Sequence, residues 1–282
     1  MPPSTPDTLD RLDELPSLPA VYHRAREILD DPEGPLEAVG QVIASDAAMT
    51  ARLLRVANSA LYGLPARVAS VPQALAIIGA AETHSLILST ALLSVFQQLP
   101  LGAVSMRSFW EHSIASGVAA RTIARRVGLG RPERFYLAGL LHDIGRLPLF
   151  MLEPRTMSTA LQSHRERQAH LWEIEQCLFG TTHGEVGGAL MERWQLPEVY
   201  RDCARFHHAP CQDRPAAQEI AITHLADLIV NSLRIGTSGT RWVPVLADKA
   251  WRDSGLEVTD LPAIAELVVS TSRGVIAAFL EP

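Results

Sequence analysis

The chain has 282 residues, 47% of them hydrophobic, with a formal charge of −6 and a pI near 5.9. That length allows one large or two modest domains with a sizeable core. The acidity argues against a surface built for non-specific binding to nucleic acid or to an anionic membrane, so neither is expected as a partner.

Residues 1–14 read as a ragged, polar and acidic leader with Pro2, Pro3 and Pro6, unlike a signal peptide. Leu15-Pro16-Ser17-Leu18-Pro19 gives a stiff, extended approach, because each proline restricts its predecessor. Helices follow over Ala20–Leu29 and Leu36–Ala44, separated by a Pro/Gly break at 30–35. Ser45-Asp46 caps a third helix, Ala47–Ala60, in which Met49, Leu53, Val56 and Ala57 share a face. Asn58-Ser59 is suited to bonding local backbone before the turn at Gly63. Ser70 caps a helix to Ile78 that stops at Gly79, and the apolar helix Thr83–Gln98 ends at Pro100–Gly102.

Beyond a pivot near residue 105, Met106–Val127 forms one long helix containing His112, and Pro132–Leu141 leads into His142-Asp143. Pro154–Leu178 reads as one charged helix with an apolar face. Gly184–Trp194 and Pro197–His208 follow, then a loop at Pro210–Pro215 and the apolar helix Gln218–Leu233 with His224 and Asp227. A flexible loop, Gly236–Gly239, precedes the last helices, Val243–Asp253 and Leu261–Phe279. No alternating strand pattern and no repeat occurs, and no stretch reaches about 18 uninterrupted apolar residues. The expected fold is all-α, with an N-terminal helical part over 15–104 and a C-terminal one over 105–282. Cys177, Cys203 and Cys211 lack CxxC spacing, which predicts reduced, mostly buried thiols in a cytoplasmic protein.

The chemistry concentrates at Ala138-Gly139-Leu140-Leu141-His142-Asp143-Ile144-Gly145. An apolar helix has no use for an adjacent imidazole and carboxylate unless both find partners. A hydrogen-bonded core pair satisfies them, and so does a metal ion, since both groups ligate Zn, Mn or Fe. His112, His183, His207 and His208 also stand in apolar helical segments. Asp227 lies in the run Leu225-Ala226-Asp227-Leu228-Ile229-Val230, where a carboxylate needs a backbone, Arg or His224 partner. Arg146 either faces a phosphate or ends a helix in solvent. Trp110 and Cys203 read as core residues.

The order His112, His142-Asp143, Asp227 resembles the metal-binding HD superfamily of phosphohydrolases. His183 and His207-His208 fall where the HD-GYP cyclic-dinucleotide phosphodiesterases carry the rest of a two-ion set, although Ala209-Pro210-Cys211 stands in place of Gly-Tyr-Pro. A longer series of motifs resembles the HDOD domain. It comprises Leu15-Pro16-x-Leu18-Pro19, Ile43-Ala44-Ser45-Asp46, Arg52-Leu53-Leu54-Arg55-Val56-Ala57-Asn58-Ser59, Ile78-Gly79, Phe109-Trp110-x-His112 and the His-Asp stretch. His183-x-Glu185-Val186-Gly187 and Glu192-Arg193-Trp194-x-Leu196-Pro197 complete it over about 15–230. Ala47 departs from the family's usual proline. The resemblance implies a multi-helix bacterial signalling module that binds other signalling proteins, with one or two divalent ions, Fe or Mn first and Zn or Mg as alternatives. Its ligands would be His112, His142, Asp143, His183, His207, His208 and Asp227. The alternative it implies is a metal-dependent phosphohydrolase taking a nucleotide or cyclic dinucleotide, with Arg146 toward the phosphate.

Overall fold

The computed structural model describes residues 6–31, 33–96, 104–167, 169–210 and 213–281, and every regular element among them is helical. Cys211 and the Pro100–Gly102 boundary lie outside the described residues. The chain divides into two compact units, one of 1–16 with 98–268 and the other of 17–97 with 269–282. The return of 269–282 to the earlier helices is invisible in a split near residue 105, because helical periodicity does not say which helices pack together.

Residues 6–14 are helical rather than ragged: α1 (Pro6–Asp10) runs into a 3-10 turn at Arg11–Glu14. The smaller unit contains α2 (Ala20–Asp30), α3 (Leu36–Ala44), α4 (Ala47–Ala57) and α5 (Val71–Val95). Its centre is Tyr22, Ile43, Leu53, Leu75 and Leu88, all fully buried. Asp46 caps α4 by accepting from the backbone N–H of Met49. Asn58 ends α4 and clasps the following loop: its amide donates to the carbonyls of Leu54 and Val68, and its Oδ1 accepts from the N–H of Val68. The helix stop expected at Gly79 is a kink within α5, where Gly79 takes φ +79°.

The larger unit is built on α6 (Met106–Arg126) and α7 (Pro132–Leu141). Their axes come close because glycines face each other. A Cβ on Gly139 would lie 2.4 Å from the carbonyl oxygen of Ser116, and one on Gly117 would lie 2.8 Å from that of Tyr136. After a tight turn at 142–145 come α8 (Arg146–Leu152), α9 (Pro154–Arg167) and α10 (Leu171–Phe179). The single helix expected over Pro154–Leu178 is thus two, since His170 and Glu173 form a capping box that starts α10 afresh. Then follow α11 (His183–Arg193), α12 (Glu198–Phe206), α13 (Ala217–Leu233) and α14 (Asp248–Ser254). The helix expected from Val243 begins only at Asp248. The last helix, α15 (Leu261–Leu280), contributes residues to both units. Ala119, Ile123, Phe135, Ile222, Leu225 and Val268 form the larger unit's apolar core.

Three stretches are long and apolar enough, by length and composition, to cross a membrane: Val71–Val95, Pro132–Leu152 and Val258–Leu280. Within the protein 89% of the Pro132–Leu152 window is buried, which assigns its apolarity to the core.

Of the thiols expected to be mostly buried, Cys203 is buried and Cys177 is exposed. Gly139→Ala places a methyl group against backbone that cannot swing away. It should lower unfolding free energy by about 1–3 kcal/mol, read as a lower urea midpoint by circular dichroism.

Candidate metal centre

Five helices deliver the site. His112 projects from α6, His142 and Asp143 follow the end of α7, and His183 opens α11. His207 and His208 follow α12, and Asp227 lies on α13. All seven side chains expected as ligands converge in the larger unit. Gly145 makes this possible: a Cβ there would sit 2.0 Å from the carbonyl oxygen of His183 and 2.4 Å from the N of Gly187, so only glycine lets the His-Asp turn lie against α11.

Asp143 stands at the centre with one oxygen toward each half. Its Oδ2 lies 3.7 Å from His112 Nε2 and 3.4 Å from His142 Nε2. Asp227 Oδ1 closes that half, 3.1 Å from His112 Nε2 and 3.4 Å from His142 Nε2. Asp143 Oδ1 lies 3.1 Å from His183 Nε2 and 3.8 Å from His207 Nε2. His208 Nε2 is 3.2 Å from His183 Nε2. One nitrogen or oxygen from each of Asp143, His183, His207 and His208 falls within 4.8 Å of the others, and the same holds for His112, His142 and Asp143.

The imidazoles are oriented from outside. Nδ1 of His142 donates to the carbonyl of Gly139 (2.7 Å), that of His207 to the carbonyl of Ala204 (2.8 Å), and that of His183 to Oε2 of Glu175 (2.5 Å). In its neutral form each ring held this way turns a bare Nε2 inward, the tautomer that ligates a metal. His183 and His207 face each other Nε2 to Nε2 at 3.4 Å, an approach at which lone pairs repel unless a proton or cation lies among them. His112 Nε2, His142 Nε2 and Asp143 Oδ1 are buried without a hydrogen bond of acceptable geometry. Such atoms in a dry interior cost several kcal/mol, roughly, if left unsatisfied. These residues fit a divalent ion in each half, with Asp143 common to both.

Charge on the groups follows the same geometry. Burial raises the Asp143 carboxyl, but Arg146, His142 and His183 outweigh it and hold it well below the usual carboxylate range. Asp227 is held low against burial by His112 and His142. Burial disfavours the charged form of His142, yet Asp143 and Asp227 push it up to about 10, so a proton occupies that position without an ion. Burial and the neighbouring His142 and His183 push His207 down to about 3. His208 is also driven well below its ordinary value, by burial and then by His207.

Three expectations are corrected. Arg146 is not a solvated helix-end cation: it starts α8, is 1% exposed, and sets Nη1 3.2 Å from Asp143 Oδ2 while donating to Ser238 and Thr240. The loop at 236–240 is accordingly packed, with Thr237 N–H donating to the carbonyl of Ser108. His224 does not partner Asp227. Its Nδ1 donates to the carbonyl of His207 and its Nε2 accepts from the N–H of Ala247, while Asn231 donates to Asp227 Oδ1. Trp110 and Cys203 are buried, as expected.

Glu175 went unnoticed in the sequence. It shares a helical face with Leu171, Ile174 and Leu178, and a carboxylate on an apolar face is the signal that singled out Asp227.

Comparison with known proteins agrees with this architecture. An uncharacterized protein of Treponema pallidum (strain Nichols) is 25% identical over 202 residues, which cover 70% of this chain and 39% of that one. The chain thus spans about two fifths of the length of that curated relative. The crystal structure of an HDOD domain protein of unknown function from Geobacter sulfurreducens superposes with a TM-score of 0.80 at 27% identity, covering 98% of this chain and 100% of that one. A protein of Shewanella amazonensis SB2B, provisionally named a phosphohydrolase, shares the fold with a TM-score of 0.76 at 22% identity over 96% of each chain. The HDOD domain profile matches residues 15–210, most of the chain and all of the site but Asp227. With the motif series and the helical architecture in agreement, this chain belongs to the HDOD domain family.

Proposed function

We propose that this chain is a cytoplasmic bacterial signalling module that keeps a divalent metal centre in its helical core and acts by binding other signalling proteins. The observation that carries this reading is the closure of the centre. His112, His142, Asp143, His183 and His207 are at most 2% exposed, and Asp227 is 5% exposed. Turnover needs an open coordination position and a path for substrate. Arg146, the cation nearest the ligands, is turned toward Asp143, Ser238 and Thr240 rather than toward an incoming phosphate. His112, His142, Asp143 and Asp227 would hold one ion, and His183, His207 and His208 with Asp143 a second.

A second reading, a metal-dependent phosphohydrolase acting on a nucleotide or cyclic dinucleotide, is favoured by one feature. The two oxygens of Asp143 face separate ligand groups, the arrangement that sets two ions side by side. Bound ions would neutralise the charge of a phosphodiester there. His208, only partly buried and stacked on Trp172 with ring centroids 6.0 Å apart, marks the side from which such a ligand would approach.

Purified protein should carry Fe or Mn by elemental analysis, and Asp143→Ala should lose the metal from both halves at once. The module reading expects the metal-loaded protein to leave cyclic dinucleotides and nitrophenyl phosphodiesters intact. Hydrolysis that disappears in Asp143→Ala would decide for the second reading. Metal affinity should rise with pH across about pH 6 to about pH 8, since an ion at His142 Nε2 displaces a proton that the ion-free protein holds up to about 10. Chelator competition at several pH values measures this, and a flat profile would contradict it.

A further inference from the structure

The two halves of the centre are unequal in charge. One has Asp227 and a share of Asp143, whereas the other has three imidazoles and only its share of Asp143. Resting on the metal reading above, we propose that Glu175 is the positioning residue that makes the His183–His207–His208 half able to hold its own ion.

Glu175 lies on α10, is 0% exposed, and touches the centre only through His183. Its Oε2 accepts both the backbone N–H of His183 at 2.9 Å and the ring Nδ1–H at 2.5 Å. The first bond fixes where α11 begins, and the second fixes the ring's rotation and tautomer. A carboxylate behind a ligating imidazole also strengthens its inward nitrogen as a donor, which supplies the negative charge that this half lacks. His142 and His207 are backed only by neutral carbonyls, so the carboxylate stands behind His183 alone among the three.

A buried carboxylate needs a counter-charge. The remaining oxygen, Oε1, lies 3.6 Å from Arg146 Nε, with no hydrogen bond of its own. The same guanidinium reaches Asp143 Oδ2, the oxygen facing His112 and His142. Arg146 therefore bridges the outer carboxylate of one half to the shared carboxylate of the other, and Ser238 and Thr240 hold it in place.

The test equilibrates the full chain with Mn2+ as wild type, Glu175→Gln and Glu175→Asp. It reads bound equivalents, affinity and the electron paramagnetic resonance spectrum, with circular dichroism to verify folding. Wild type should hold about two equivalents with a spin-coupled signal, because Asp143 is shared. Glu175→Gln keeps the shape but loses the charge. It should weaken one ion by about 10–100-fold, leaving one equivalent with an uncoupled signal. Glu175→Asp should recover part of the second ion. If Glu175→Gln fails to fold, Glu175→Asp carries the test: its second ion must bind more weakly than in wild type while the first is unchanged. Two ions held at wild-type affinity by folded Glu175→Gln would overturn the proposal, as would loss of both. A wild-type chain that binds no Mn2+ would instead sink the metal reading itself, and this proposal with it.

Discussion

Everything in the larger unit depends on a buried carboxylate that serves two sides. Asp143 places Oδ2 toward His112 and His142 and Oδ1 toward His183 and His207, and is itself only 2% exposed. Two carboxylates and five imidazoles brought this close cannot all take their solution charge states. Protons on His142, or divalent ions among the ligands, are the two ways to balance them. The protein holds the rings from behind so that both remain open to it.

That convergence is secured by the absence of side chains as much as by their presence. Gly117 and Gly139 let α6 and α7 approach until only backbone separates them, which sets His112 beside His142. Gly145 then lets the turn after Asp143 lie against the start of α11. A methyl group at any of these positions would force backbone apart at a site where a shift of an ångström matters. The glycines around the His-Asp pair thus have a packing explanation that is independent of any reaction.

Ligand identity and access point in different directions, and the proposed module reading rests on access. The ligand set alone suits a two-ion hydrolytic centre. Its burial, and the commitment of Arg146 to Asp143 and to the 236–240 loop, suit a centre that holds its shape and conveys its state through the surrounding helices. The same commitment makes Arg146 a structural neighbour of the ligands.

Much was legible in the sequence because its causes are local. The all-α class followed from apolar spacing without alternation, and the capping residues Asp46 and Ser70 were visible as helix starts. The candidate ligands stood out because imidazoles and acids are out of place on apolar helical faces. Where several features lay close together the reading failed. Pro154–Leu178 hid the capping box at His170 and Glu173 that divides it, and Arg146 looked like a helix end in solvent. The sequence by itself determined which residue types were available for a metal and on which helices they lay. Only the tertiary structure decided that Asp143 serves both halves, that Glu175 stands behind His183, and that His224 bonds backbone instead of Asp227. Those outcomes are set by approaches between segments far apart in the chain, and no periodicity along one helix encodes the distance to another.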